Sequence, residues 1–216
     1  LKIYSNEAYL VVKKITVGKK RLTLFDAAIR KISILLSLAK QEQVYPICKL
    51  YEIKQQMDAM QTEIEAAIAK TEQQLAAKKI NPEQYNFTVK DEITIKFGNP
   101  LIYQLAKLLE QFDRLICLLN LAKSTDITLS KRLYFTEKDK YQQMLFRFLS
   151  SVVQIGVDEL PKTSIESYIQ QIVSYSECKE ANKISPQIVH TALQLSLLPQ
   201  VDVHKIEEYN HQLKLI

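Results

Sequence analysis

Three polar residues, Glu92, Thr94 and Lys96, alternate with the apolar Ile93, Ile95 and Phe97. A period of two puts the polar set on one face of a strand and the apolar set on the other. The polar types are ones that read base edges in the DNA major groove. Lys donates to guanine O6 and N7, Thr offers a hydroxyl or touches a thymine methyl, and Glu accepts from cytosine N4. A second set of residues has the chemistry of phosphate contact. Lys13, Lys14, Lys19, Lys20, Arg21, Arg30 and Lys31 stand against one acid, Asp26, giving a local balance of +6. The whole chain carries +5, so the remainder sums to −1. A concentrated basic stretch on a near-neutral body points to a polyanion partner. The candidate DNA-binding residues are therefore Glu92, Thr94 and Lys96 for sequence choice, with Lys13, Lys14, Lys19, Lys20 and Arg21 for the backbone. The plain alternatives are a solvated strand face and a solvated surface segment.

Other chemistry is hard to assemble from this chain. His204 and His211 are seven residues apart, too far for joint metal ligation on one helix, and His190 stands alone. No Ser, Cys or Asp sits in a nucleophile-elbow or triad context. The three glycines, Gly18, Gly98 and Gly156, are isolated, so no phosphate-cradling loop is present. Cys48, Cys117 and Cys178 show neither metal nor disulfide spacing, which suits a reducing, cytoplasmic setting. No apolar run reaches 18 residues, so no membrane span is expected, and no signal-peptide pattern opens the chain. The expectation is a protein that is not an enzyme and needs no cofactor or metal. Tyr4, Tyr9, Tyr134 and Phe135 lie near basic residues and could stack on bases, although packing is the commoner role.

The elements that must carry these residues are mostly helices. Glycine is scarce, 47% of residues are hydrophobic, and long runs follow helical spacing. Ala8–Val17 is β-rich and reads as a strand closed by Gly18. A helix opens at Thr23 or Leu24, ending before Tyr45-Pro46. A long helix with a narrow apolar seam runs from Pro46 to about Lys79, where Asn81-Pro82 stops it. The strand Phe87–Phe97 follows. Asn99 is a good N-cap and Pro100 suits the first helical position of an apolar helix reaching Lys123. Another helix, from near Leu129-Ser130 or Thr136-Glu137, runs to about Val153. Shorter ones follow at Ser164–Ala181, Pro186–Leu197 and His204–Leu213. The fold class expected is mainly α, a helical domain with a small β-ribbon of ribbon-helix-helix type. Residues 1–155 would form the core domain and 156–216 a C-terminal helical extension.

Three segments resemble a known family. They are VYPICKLYEIKQQMDAMQTEI (Val44–Ile64), IKFGNPLIYQLAKLLEQFDRLICLL (Ile95–Leu119) and the spacing to the Arg-containing helix Lys131–Phe148. In the second, Asn99-Pro100 with Tyr103 matches a Pro-Tyr-type element, and Phe112-Asp113-Arg114-Leu115 matches an FDRL-like core. Over about Leu10 to Val153 the chain is similar to the AcaB-like family of integrating-conjugative-element and plasmid conjugation regulators. The resemblance implies a ribbon-helix-helix-like dimer that binds double-stranded promoter DNA and activates transfer genes of a mobile element, with RNA polymerase as a further candidate partner. It does not name the operator. Two other readings stay open: a helical interaction or scaffold protein docking through Gln56–Lys79, and a relaxosome accessory factor. A lone strand also demands a partner. Either Glu92–Phe97 pairs across a homodimer, or it pairs in-chain with Val11–Val17.

Overall fold

The computed structural model describes residues 1–13, 15–17, 20–95, 98–125, 131–173, 184–194 and 203–214. In chain order the elements are β1 (Lys2–Ile3), α1 (Asn6–Val12), β2 (Ile15–Val17), β3 (Lys20–Leu22), α2 (Leu24–Ala39), α3 (Val44–Ala77), β4 (Asp91–Glu92), α4 (Pro100–Ser124), α5 (Lys131–Val153), α6 (Ile165–Val173), α7 (Pro186–Gln194) and α8 (Val203–Lys214). The chain is mainly helical, with β1 paired to β4 and β2 to β3 as two small two-stranded sheets. Its contacts divide it into two compact units. One holds Leu1–Ile29 and Gln56–Val153, the other Arg30–Gln55 and Gln154–Ile216. Sequence composition suggested one break, after residue 155. The units cut the chain three times, because α2 and α3 each pass from one unit to the other.

The first unit is built on α4. The Asn99 side chain accepts from the Leu101 N–H at 2.8 Å, and Pro100 opens the helix. Leu101, Leu105, Leu108, Phe112, Leu115, Leu119 and Ala122 are buried along one stripe, and Ile102 and Leu118 widen it. Each such side chain contributes roughly 1.5–3 kcal/mol by leaving water. The Gln56–Ala77 part of α3 runs parallel to α4. Gln104 donates to Asp58 and Gln111 to Glu65, both at 2.6 Å, a step of seven residues on each helix. Leu75 packs with Leu118, Leu121 and Ala122. Parallel packing forces the intervening chain, 78–99, to travel back along the pair. The turn that starts this return has Lys79 in the left-handed region, φ 59°. Ile80 N–H bonds Leu75 C=O at 3.0 Å and Lys79 N–H bonds Ala76 C=O at 2.8 Å, the double closure that usually takes glycine.

Two strand expectations need correction. Residues 8–12 of the expected strand Ala8–Val17 are helical. The Ser5 hydroxyl accepts from the Ala8 N–H at 3.1 Å, capping α1, and Ala8, Val11 and Val12 are buried. Packing there overrides the β preference of the two valines. The strand expected over Phe87–Phe97 is reduced to Asp91–Glu92. Its partner is neither a second chain nor Val11–Val17 but β1, with Lys2 opposite Glu92 and Ile3 opposite Asp91. Lys90 N–H donates to Ile3 C=O at 2.6 Å, Ile93 N–H to Leu1 C=O at 2.9 Å, and the amino terminus to Ile93 C=O at 2.8 Å. The pairing is short because the chain leaves β1 at once to enter α1.

In the second unit, Glu42 has φ 57° in the turn between α2 and α3. Its carbonyl accepts from Ile165 N–H at 2.9 Å, and Val44 N–H donates to Thr163 C=O at 3.0 Å. The Glu42 carboxylate takes Lys205 at 3.2 Å and the Tyr209 hydroxyl at 3.1 Å, which fastens α8. Ile32, Leu35, Ile47, Leu50, Ile165, Tyr168, Val189 and Leu193 are buried.

Candidate nucleic-acid interface

The basic stretch folds as an antiparallel hairpin. Ile15 faces Leu22, Thr16 faces Arg21 and Val17 faces Lys20 across β2 and β3. Lys20 and Arg21 therefore occupy the second strand, which the sequence reading had left between a strand and a helix. The signal for it was present: two residues of Gly-X type between a β-rich run and Lys20–Leu22. Lys14, Lys19 and Lys96 lie outside the described residues.

Both feet of the hairpin are fixed by side chains that sequence reasoning did not single out as anchors. Lys13, exposed, follows α1 directly and its N–H bonds Tyr9 C=O at 2.7 Å. The start of α1 is clamped to α4 by Asp113, which is 3% exposed. Its two carboxylate oxygens accept from the Tyr4 N–H at 2.9 Å and the Ser5 N–H at 2.7 Å. A carboxylate that fully occupies two buried N–H groups is costly to remove. Glu7 of α1 also pairs with Lys138 of α5. Burial alone would pull the Lys138 ammonium down, but the hydrogen bond and charge of Glu7 outweigh it and hold its pKa above the ordinary lysine value. At the other foot, the Thr23 hydroxyl accepts from the Asp26 N–H at 2.8 Å and starts α2.

Glu92 and Thr94 are exposed while Ile93 and Ile95 are half-buried, so the alternation survives in the described part of the segment. The fold brings Lys13, Glu92 and Thr94 onto one groove of about 500 Å³ at the foot of the hairpin, with Thr23, Asp26 and Asp91 also in its wall. Three carboxylates, Asp26, Asp91 and Glu92, thus meet one ammonium, Lys13. That balance repels a phosphate backbone. Elsewhere in the unit, body cations are already matched: Arg114 with Glu72, Lys140 with Glu63. The hairpin is where basic charge is concentrated.

Among the described residues no group of three or more His, Cys, Asp or Glu side chains is placed to hold a metal. Among them, too, no helix is long and apolar enough to cross a membrane.

These features define a class: a mainly helical chain bearing two short β-ribbons, one at an acidic groove and one basic. No family model matches the sequence, and no curated protein matches it. Among solved structures, the chain is similar to the crystal structure of selenomethionine-containing AcaB from uropathogenic E. coli, with a TM-score of 0.56 and 14% sequence identity. The match covers 97% of this chain and 94% of that one. The fold is AcaB-like from end to end.

Proposed function

We propose that this chain is a DNA-binding transcriptional regulator of a conjugative element, acting as a homodimer to activate transfer genes through contact with RNA polymerase. The observation that carries the reading is the basic hairpin. A two-stranded ribbon is of a size that enters the major groove, and this one lies within the stretch that holds a +6 balance. The AcaB-like fold, together with the motifs at Ile95–Leu119, supports the assignment to conjugative elements. In this reading Lys13, Lys14, Lys19, Lys20 and Arg21 supply phosphate contacts and most of the affinity. The ribbon belongs to each chain. A ribbon-helix-helix pairing of Glu92–Phe97 across two subunits is the weaker form of the idea, because β4 already pairs with β1 beside an acidic groove.

The test is random-site selection on duplex DNA followed by binding at graded salt. Five phosphate contacts per chain predict a slope of log affinity against log salt of about −4.5. A promoter carrying the selected site should give more runoff transcript when the protein is added. No enrichment of any sequence, together with salt-independent binding, would overturn the reading.

A further inference from the structure

The aromatic residues near basic ones separate into two kinds once packed. Tyr134 is 2% exposed and its hydroxyl bonds the Asn120 side chain, which ties the start of α5 to the end of α4. Phe135, next in the chain, is 47% exposed. Its ring meets that of Tyr134 edge to face, with centroids 5.1 Å apart. The Lys123 ammonium lies 4.6 Å from the Tyr134 centroid and 4.7 Å from that of Phe135. Burial and hydrogen bonding account for Tyr134. They do not account for a large ring left half in water at a corner rich in cations.

The surrounding charge has one sign. From Lys123 to Phe135 the chain holds Lys123, Lys131 and Arg132 against Asp126, a balance of +2. Lys131 opens α5, a helix of 23 residues with no acid in its first turn. The start of such a helix favours an anion through its free N–H groups and dipole. An exposed ring held rigid by a buried neighbour, under a lysine and beside a basic helix start, combines the two parts of a site for an unpaired nucleotide. The ring stacks on a base and the cations meet the flanking phosphates.

We propose that Phe135 and Lys123 form a stacking site for single-stranded DNA at the α4–α5 corner, separate from the basic hairpin. Duplex DNA hides its base faces, so this site takes an unpaired strand and leaves a closed duplex to the hairpin. Phe135 is the platform, Lys123 the phosphate contact, and Tyr134 a positioning residue.

The chain contains no tryptophan, so Phe135→Trp introduces a single indole at the site. The measurement uses the full chain in a Lys19/Lys20/Arg21→Ala background, so that its failure is distinct from failure of the duplex reading. Addition of a deoxythymidine decamer should quench the indole saturably, and a closed duplex should not. In the same background, Phe135→Ala should weaken decamer binding about tenfold, Lys123→Ala should weaken it about threefold, and Phe135→Tyr should hold it within about twofold. Absence of quenching, or decamer binding by Phe135→Ala equal to that of its parent, overturns the proposal. Equal quenching by duplex and decamer also overturns it, because the site would then not require an unpaired base.

Discussion

Two ribbons in one compact unit, β1–β4 and β2–β3, are alike in strand number and opposite in character. The first is two residues long, is closed by the chain's own amino terminus, and borders a groove walled by Asp26, Asp91 and Glu92. The second is three residues long and places Lys20 and Arg21 on its outer strand. The polar–apolar alternation that marked residues 92–97 reports only that a segment is extended with one face covered. The sign of the charge around a ribbon decides whether a polyanion can approach it. The comparison therefore moves DNA contact from Glu92 and Thr94 to the hairpin and gives the first ribbon a mounting role.

If the first ribbon and α1 are the mount, cutting the clamp should cost the most. Asp113→Ala strands two buried N–H groups and should destabilise the protein by about 3 kcal/mol in urea unfolding. Asp113→Asn, which keeps one acceptor oxygen, should cost about half as much. An Asp113→Ala protein of unchanged stability would mean the amino-terminal segment is not anchored through α4.

The mount is also sensitive to alkali. Burial, followed by the charges of Asp113 and Glu7, pushes the Cys117 thiol up to about 12, and burial, then Glu52, does the same for Cys48. Burial likewise raises Tyr134 and Tyr141. A group whose folded pKa lies above its unfolded one gives stability that is complete below the unfolded value and is lost as pH climbs toward the folded one. For the thiols that window runs from about 9 to about 12. Lys138, raised by Glu7, adds a loss of the same sign at the top of the range. Melting temperature should therefore fall steadily above pH 9, and Cys117→Ala should flatten the fall. A melting temperature that rises through this window would contradict the packing described.

The smallest effect tests the return segment that delivers β4. Lys79 sits at φ 59°, a conformation that costs a side-chain-bearing residue about 1 kcal/mol more than glycine. Lys79→Gly should stabilise the chain by about that amount, with DNA binding unchanged. Destabilisation would show that the Lys79 side chain itself holds the turn.

The helices were legible because their signals are local. Asn99-Pro100 marked the start of α4, and the three-and-four spacing of Leu101 to Ala122 marked its buried face. The misread strand at Ala8–Val12 was decided by distant groups: Asp113, more than a hundred residues away, caps the backbone just ahead of α1. Asp113 was noticed as part of a motif, but its partner could not be read from spacing. The short reach of β4 had a similar cause, since its partner is the first residues of the chain. The hairpin was half legible: Gly18 was taken as the end of a strand and not as the turn between two. The acidic wall beside Glu92 was invisible, because Asp26 and Asp91 meet only in the fold.

The central claim is that phosphate contact lies in the hairpin and not on the Glu92–Thr94 face. It is tested most directly by comparing two variants on the same duplex over a salt series. Lys19/Lys20/Arg21→Ala should lower the magnitude of the log–log salt slope by about 2.7, roughly 0.9 for each lost contact. Glu92/Thr94→Ala should leave the slope unchanged, with affinity equal to wild type or slightly higher as a carboxylate is removed from the groove. An unchanged slope in the hairpin variant, together with lost affinity in the Glu92/Thr94 variant, would contradict the account and return recognition to the first ribbon.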